Sequence, residues 1–401
     1  MAPPQISEQS FLDSLDLLSA SPMTNAQHAR RYSQSQLLSA TGKKDSLTVP
    51  YHRRGRSNSI SVVPGSSLAA HILATVNTTF QNTKKSADND DSNGSLSQQV
   101  LDYVDGQVHD TWEVAKALML GSTRLLLLEE LPKDRQENQY VLSGYRFYRS
   151  SRECLKSLFK IHNETLNIWS HLLGFFFFSY LSIYAFKTNF PEASSRDIAI
   201  FSAFCISSLT CLLCSSIYHT FICHSARHIK SFTATLDYIG ITFLITASIS
   251  IVIHFGFYCD PIPKHRYMIF SGLIGSIGII LPFFRFFDTK RYRPLRIGLF
   301  VAMAFSSVVP LLHLMTVKGV LVTAAFLKPA LVSALMYICG VVIYGKRFPE
   351  KFFPGKFDAA GMTSHAIWHL FVCLGIFFHY LGSFHFYKLR EEFGCMFAPT
   401  E

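Results

Sequence analysis

The chain has 401 residues, of which 49% are hydrophobic and 36 are phenylalanine, and its formal net charge is +10. Its mean hydropathy of +0.23 averages a polar first third with a strongly apolar remainder, a balance that excludes an ordinary soluble enzyme. The lysines and arginines are spread through short segments between apolar runs, so the charge gives no reason to expect a nucleic-acid partner.

The first 96 residues are rich in Ser, Asn and Gln and poor in aromatic residues, so they cannot bury enough apolar surface to offset the entropy of ordering. This composition predicts a disordered, Ser-rich cytosolic tail over 1–96. The tail contains two basic clusters followed by serines, RRYSQS at 30–35 and RRGRSNSIS at 53–61, which fit sites for a basophilic kinase. Their phosphates could dock a partner that presents clustered arginines. Chance occurrence of such strings in a Ser-rich tail stays an equal alternative.

Residues 97–132 carry apolar side chains at helical spacing, which predicts an amphipathic helix on the inner leaflet or beneath a membrane bundle. The stretch that follows is basic and leads to Trp169, a combination typical of the inner membrane interface. Residues 97–167 are therefore predicted to form an amphipathic, juxtamembrane helical segment.

Seven apolar windows follow within 168–385, each long enough for a hydrocarbon core about 30 Å thick. They predict an all-α membrane protein with a seven-transmembrane helix bundle and a short outer tail over 386–401. The predicted spans are Ile168–Phe186, Ile198–His219, Phe232–Phe257, Tyr267–Phe287, Ile297–Met315, Pro329–Tyr344 and Met362–Phe384. Lys328 and Pro329 interrupt the sixth run, so the residues before Pro329 are expected to be tilted, re-entrant or part of the outer loop.

The distribution of basic residues predicts the orientation. With a cytosolic N-terminus, the inner segments hold most of the Lys and Arg, including those in 146–160, 290–296 and 346–356, and the outer segments hold few. The positive-inside rule then places the N-terminus in the cytosol and the C-terminus outside. The nine cysteines show no disulfide framework, and Cys259 with Cys395 on the outer side is the only pair worth testing.

Four polar residues from three predicted spans share one depth near the inner side. His219 lies in the last turns of span two, and Asp237 lies about one turn into span three. His365 and His369 occupy the first two turns of span seven and, being four apart, share one helix face. A carboxylate inside a span costs about 2.5–3.5 kcal/mol on insertion scales, so Asp237 is a functional candidate that needs a partner.

Three imidazoles and a water form a common catalytic zinc shell, so His219, His365 and His369 are predicted to bind Zn²⁺. Asp237 is expected to orient or deprotonate the water, or to accept a hydrogen bond from one imidazole. Ser215 lies one turn before His219, and we expect it to face the same cavity and to donate to a substrate carbonyl.

Other histidines are weaker candidates for this site. His224 and His228 are also four apart, but they lie in a loop outside the lipid with no third ligand at their depth. His171 begins span one on the correct side and is the best alternative fourth ligand. His162 and Glu164 are interpreted as hydrogen-bonding groups that shape the juxtamembrane helix.

Several motifs together resemble the progestin and adipoQ receptor family, which includes the adiponectin receptors, the fungal Izh proteins and the more distant hemolysin III proteins. The motifs are HNETLNIWSHLLGF, SSIYHTF followed by LDYIGI, RPLRIGLF with SSVVP, and PEKFFPGKFDAAGMTSHAIWH. The likeness covers about Glu129–His385 and leaves out the polar tail.

This resemblance implies a seven-helix bundle with a cytosolic N-terminus and a zinc ion near its inner face. It also implies that His219, His365 and His369 hold the zinc, that Asp237 lies near the water at the zinc, and that Ser215 precedes the first ligand. Members of the family are linked to lipid and zinc homeostasis, and ceramidase activity is attributed to the adiponectin receptors. The long Ser-rich tail resembles those of fungal proteins, so within the family the Izh proteins are the most similar group.

Two functions stay open from the sequence. The first is a zinc-dependent intramembrane hydrolase, in the plasma membrane or an endomembrane, that cleaves a ceramide-like membrane lipid amide. The second is a signalling receptor in which zinc is structural and an extracellular ligand shifts the packing of spans two, three and seven. An ion channel is less favoured, because a conduction path should place polar residues at several depths.

Overall fold

The structure is a computed structural model that describes residues 49–53, 56–60, 110–188, 193–359 and 361–396. The chain divides into two compact units at residue 109. In the first unit the described residues form an antiparallel hairpin of strands β1 (Val49–Arg53) and β2 (Arg56–Ile60). The rest of the tail predicted to be disordered, including the serine cluster at 30–35, lies outside the described residues.

The segment that leads to span one is less helical than predicted. Its described part holds a helix over 110–121 and then leaves the helix, so residues 97–132 do not form one continuous amphipathic helix. Leu126 instead pairs with Tyr145 in an isolated β-bridge. A small apolar core made by Ala117, Leu126, Leu131 and Phe147 explains the difference, because these side chains bury one another. Short helical turns follow at Leu128–Glu130, Lys133–Arg135, Ser151–Lys156 and Ser157–Phe159.

Seven helical regions in the described part of the chain are long and apolar enough to cross a bilayer, which confirms the predicted seven-helix bundle. They are span one (Thr165–Thr188), span two (Ser195–Phe221), span three (Arg227–Gly256), span four (Pro261–Ile280), span five (Arg293–Phe305 with Val308–Lys318), span six (Val320–Lys346) and span seven (Ser364–Lys388). A short helix, Arg390–Gly394, follows span seven. We call the end where span one begins the inner end and the end where span seven finishes the outer end, after the predicted topology.

Span five is interrupted, which the sequence did not predict. Its two helices meet at Ser306 and Ser307, four and three residues before Pro310. Proline has no N–H to bond the carbonyl four residues earlier, and its ring crowds that carbonyl. The two serine hydroxyls turn back instead to the carbonyls of Met303 and Ala304, at 2.6 and 2.7 Å.

Span six corrects the prediction that its core begins at Pro329. One helix runs from Val320 through Pro329 to Lys346. A proline is tolerated inside a membrane helix where neighbouring groups compensate for the lost hydrogen bond. The side chain of Lys328 is exposed. It lies about 12 Å along the axis from the start of the helix, so its long stem can bring the charge toward the outer interface.

Close packing of spans two and three brings two predicted site residues together. A Cβ atom at Gly240 would lie 2.9 Å from the Cα atom of Cys211, so only glycine permits this approach of the two helices. Asp237 lies one turn before Gly240, and Ser215 lies one turn after Cys211. Because the spans run in opposite directions, both residues are displaced from the contact toward the inner end.

The outer end is fastened to the C-terminal segment. Cys259 and Cys395, the pair singled out in the sequence, form a disulfide that closes across 136 residues. Nearby, the Lys318 ammonium donates to the carbonyl oxygens of Phe393 and Gly394, both at 2.8 Å. These contacts hold the short helix Arg390–Gly394 and Cys395 against the ends of spans three and five.

Candidate metal centre

The three predicted ligands meet in space. His219 from span two and His365 and His369 from span seven each offer a ring nitrogen, and these atoms all lie within 4.8 Å of one another. The ring centroids of the three pairs are 5.0, 4.9 and 4.8 Å apart. His219 and His369 are buried, and His365 is half-buried. We call these residues the triad, and a group of this kind could hold a metal ion.

Two of the three imidazoles are oriented through Nδ1. His219 Nδ1 lies 2.8 Å from Glu164 Oε2, and His369 Nδ1 lies 2.9 Å from the carbonyl oxygen of Asn167. Both acceptors take an N–H, so each ring is fixed in the tautomer that leaves Nε2 as the free lone pair. The Asn167 amide also donates to Glu164 Oε2 at 2.6 Å. One short segment, 164–167, therefore aligns histidines from two different helices.

The triad geometry fits a tetrahedral cation. His219 Nε2 and His365 Nε2 are 3.1 Å apart. Two nitrogens bound to tetrahedral zinc at 2.0–2.1 Å are separated by about 3.3 Å, so the observed spacing needs little adjustment. His365 Nδ1 is buried and has no hydrogen-bond partner among the described residues. Neutral imidazoles held close together with their lone pairs converging are the donor set that zinc prefers.

The charge of Glu164 is maintained by its neighbours. Burial raises the pKa of its carboxyl, but hydrogen bonds from His219 and Asn167 and the positive charge of Arg146 lower it, and the net shift is downward. Arg146 also donates to the backbone carbonyl of His219 at 2.9 Å. An ionised carboxylate therefore lies directly behind the first predicted ligand.

Asp237 and Ser215 lie beside the triad but outside its ligand set. Asp237 is 8% exposed, and its carboxylate interacts electrostatically with His219 and with the hydroxyl of Ser215. The imidazole acceptor expected at Asp237 is instead Glu164. Asp237 therefore keeps its carboxylate available to a molecule in the adjoining cavity.

The N-terminus of span seven is anchored where it presents two triad residues. Glu350 is fully buried and accepts hydrogen bonds from the Ser364 backbone N–H at 2.7 Å and from the Ser364 hydroxyl at 2.6 Å. It also accepts from the Asn138 amide at 3.1 Å. The carboxylate stabilises the positive end of the helix dipole and fixes the turn that carries His365.

His171 does not join the triad as a fourth ligand. Its ring stacks on that of His369 with centroids 3.8 Å apart, and neither of its nitrogens has a partner among the described residues. The other spaced pair, His224 and His228, belongs to no group of three ligating residues in the part of the chain that the structure describes. His224 Nδ1 accepts from the Ala226 N–H, a local turn contact.

A cavity of about 1190 Å³ opens beside the triad and extends into the bundle. The triad, Asp237 and Ser215 line its inner part, and its deeper wall is mainly apolar, with residues such as Leu244, Leu327 and Val372. The lining continues to His379, ten residues beyond His369 and therefore about 15 Å further along the helix. A long apolar chain with a polar group at one end fits this shape.

Glu164 is the site residue whose role the sequence reasoning missed. The sequence predicts that Glu164 shapes the juxtamembrane helix, but in the structure its side chain contacts His219, and His162 accepts from the Glu164 N–H. A usable signal was present, because Glu164 lies immediately before span one and hence at the depth of the triad. A buried carboxylate at that depth is a natural acceptor for the second nitrogen of a ligating histidine.

Comparisons with known proteins agree with the fold. Residues 159–380 match the family model described as haemolysin-III related. The chain is 40% identical over 286 residues to an uncharacterised Schizosaccharomyces pombe protein, covering 70% of this chain and 64% of that protein. It is 34% identical to the adiponectin receptor protein of Drosophila melanogaster, covering 77% and 68%, and 36% identical to the ADIPOR-like receptor IZH3 of Saccharomyces cerevisiae, covering 61% and 46%. The match thus spans less than two thirds of the fission-yeast relative.

Proposed function

The chain belongs to the haemolysin-III-related family of progestin and adipoQ receptors, and from this premise we propose that it is a zinc-dependent intramembrane hydrolase of ceramide-like lipid amides. Its place as an integral multi-pass membrane protein follows from the seven spans and the family. The observation that carries the proposal is the convergence of three imidazoles at the polar end of an apolar cavity within the bundle.

The cavity suits a substrate that stays in the bilayer. A ceramide-like molecule has two long apolar chains joined near a polar amide, and the apolar wall beyond the triad would hold at least one chain. The amide would then lie level with Asp237 and Ser215. Two buried polar groups that lack a partner among the described residues, His365 Nδ1 and the His171 ring, lie at this level, so polar atoms of a substrate could be accepted there.

The chemistry divides between the metal and the chain. When bound by the triad, Zn²⁺ supplies Lewis acidity that polarises a carbonyl and lowers the pKa of water. Asp237 accepts a proton from the attacking water and delivers it to the amide nitrogen, so the C–N bond breaks and leaves a carboxylic acid and an amine. Ser215 lines the same part of the cavity as Asp237 and would donate to the substrate carbonyl.

The membrane orientation predicted from the sequence is part of this proposal. With the N-terminus in the cytosol, the triad faces the cytosolic leaflet and the Cys259–Cys395 disulfide lies on the opposite side. Disulfides persist in oxidising compartments, which the exterior and the endomembrane lumen provide. The position of the disulfide and the distribution of basic loops support the same orientation.

Turnover of a lipid amide tests the proposal. Purified protein in nanodiscs receives ceramide, and the released fatty acid is measured for the parent and for Asp237→Ala. We expect the variant to lose about 10²- to 10⁴-fold in turnover while retaining zinc, because it lacks only the proton carrier. Asp134→Ala is the matched control, since Asp134 lies at the cavity mouth and pairs with Arg227 outside the triad. Absence of hydrolysis by folded, zinc-loaded parent would contradict the proposal.

A second candidate function is a receptor with a structural zinc. The names of two relatives, an adiponectin receptor protein and an ADIPOR-like receptor, favour it. In that case zinc ties spans two and seven together, and an extracellular ligand shifts their packing. His219→Ala would then lower the thermal unfolding midpoint greatly, and no lipid turnover would be measurable in the parent.

A further inference from the structure

A short segment before span one exposes large apolar side chains outside the spans. We call residues 151–161 the juxtamembrane hook. Phe159 is 83% exposed, Ile161 71% and Leu155 49%, although none of them lies within a membrane-spanning helix. Clustered exposure of this kind marks a contact surface.

The opposite face of the hook is firmly seated on the protein. Cys154 and Ser157 are buried, at 0% and 1% exposure. The Arg146 guanidinium donates to the Ser157 hydroxyl, which in turn donates to the carbonyl of Cys154 at 2.6 Å. The buried contacts of the hook therefore fix which of its side chains are exposed.

Contacts with span one place the exposed face at the edge of the lipid. The Trp169 indole N–H donates to the carbonyl of Leu158 at 2.9 Å, and the Phe159 ring meets the Trp169 ring edge-on at 6.2 Å. Trp169 shares its helix face with Leu173 and Phe176, four and seven residues on, which are 59% and 60% exposed. Those side chains face the acyl chains, so Phe159 lies where that apolar face reaches the headgroups.

The charge of the exposed face complements an anionic surface. Arg152, Lys156 and Lys160 are exposed, and within the described residues none of them lies at ion-pair distance from an acidic side chain. Glu153 is the one acidic residue of the hook. A basic residue next to a membrane contributes about 1 kcal/mol of attraction to anionic lipid.

We propose that the juxtamembrane hook is a binding surface for anionic phospholipids of the leaflet at the inner end. Leu155, Phe159 and Ile161 enter the boundary between headgroups and acyl chains, and the three basic side chains contact phosphate and carboxylate groups. This surface is separate from the triad and does not depend on the proposed hydrolysis.

Trp169 provides an internal probe for the proposal. The protein is reconstituted in phosphatidylcholine vesicles that contain a minor fraction of either brominated phosphatidylserine or brominated phosphatidylcholine. The fluorescence quenching that belongs to Trp169 is obtained by subtracting the quenching measured for Trp169→Phe from that measured for the parent. We expect phosphatidylserine to quench several-fold more per mole at low salt, and added salt to reduce the preference because it screens surface charge.

Removal of the basic residues should abolish the preference. The variant Arg152→Gln/Lys156→Gln/Lys160→Gln should lose up to about fivefold in relative affinity per residue. The control Lys346→Gln/Lys351→Gln/Lys356→Gln removes equal charge from an exposed segment at the same end and should retain the preference. Equal quenching by the two lipids in the parent, or equal loss in both variants, would overturn the proposal. Zinc content should be unchanged in both.

Discussion

The two ends of the bundle use buried polar groups in different ways. At the outer end, His254 Nε2 lies 2.7 Å from Asp197 Oδ1, and Lys318 is satisfied by backbone carbonyls. At the inner end, the buried His365 Nδ1 and both nitrogens of His171 have no partner among the described residues. His385 Nε2 and Arg390 Nε at the outer end also lack a partner among the described residues, but of the unpaired imidazoles only those of the inner end line the cavity beside the triad.

The groups at the outer end therefore affect the stability of the fold, and the groups at the inner end affect binding and chemistry. A hydrogen-bonded His254–Asp197 pair and a disulfide at the outer end hold helix ends together. Unpaired imidazoles inside a membrane protein are costly unless a ligand repays their desolvation, and those at the inner end adjoin the triad and the cavity, where a bound ion or substrate would supply the missing partner. A change at one end should therefore affect a different observable from a change at the other.

The largest expected effect on stability comes from the outer disulfide. Cys259→Ser should lower the free energy of unfolding by about 2–4 kcal/mol, because it releases a link that closes a long loop. Thermal unfolding of the purified protein, with and without reductant, measures the change. Zinc content should stay the same, since the disulfide lies at the end opposite the triad.

Cys339→Ser is the matched control for that measurement, because Cys339 is a free cysteine in span six. It should leave the unfolding midpoint nearly unchanged. If Cys259→Ser released zinc as readily as it lowered stability, the separation between the two ends would be wrong.

Glu164→Gln should produce a smaller effect, and only at the inner end. The substitution keeps the size of the side chain but removes the charge behind His219, so the imidazole becomes a weaker ligand. Loss of such a supporting partner reduces metal affinity by about 10- to 100-fold. Competition with a chelator measures the affinity, and the absorption spectrum of the Co²⁺-loaded protein reports the altered ligand.

Glu130→Gln serves as the control, because Glu130 pairs with Arg124 in the segment before span one, away from the triad. Its zinc affinity should match that of the parent. Unchanged affinity in Glu164→Gln would mean that the contact with His219 does not tune the site.

The fold was largely predictable because apolar windows of bilayer length are a strong signal. The effects of proline on spans five and six could not be predicted in this way. Span six continues through Pro329, since a proline is tolerated in a membrane helix where neighbouring groups replace the lost hydrogen bond and a long lysine stem can carry its charge to the interface. Span five breaks at Ser306 and Ser307, where the effect of Pro310 combines with hydroxyls that turn back to the helix. Both outcomes depend on local contacts that a hydropathy window does not contain.

The triad was predictable because the direction of each span and the position of a residue along it give the depth of that residue in the membrane. His219, His365 and His369 had to share a level, and the structure places them together. The depth of a residue in the membrane does not show in which direction its side chain points around the helix axis. That direction determines that His171 stacks on His369 rather than joining the triad, and that Glu164 rather than Asp237 contacts His219.

Metal analysis of the purified protein tests the central claim most directly. The parent, prepared without chelator, should contain about one zinc per chain. His365→Ala should contain almost none while the outer disulfide remains formed, because the loss is confined to the inner end. A folded, monodisperse parent without bound metal, or a His365→Ala variant with full zinc content, would contradict the account.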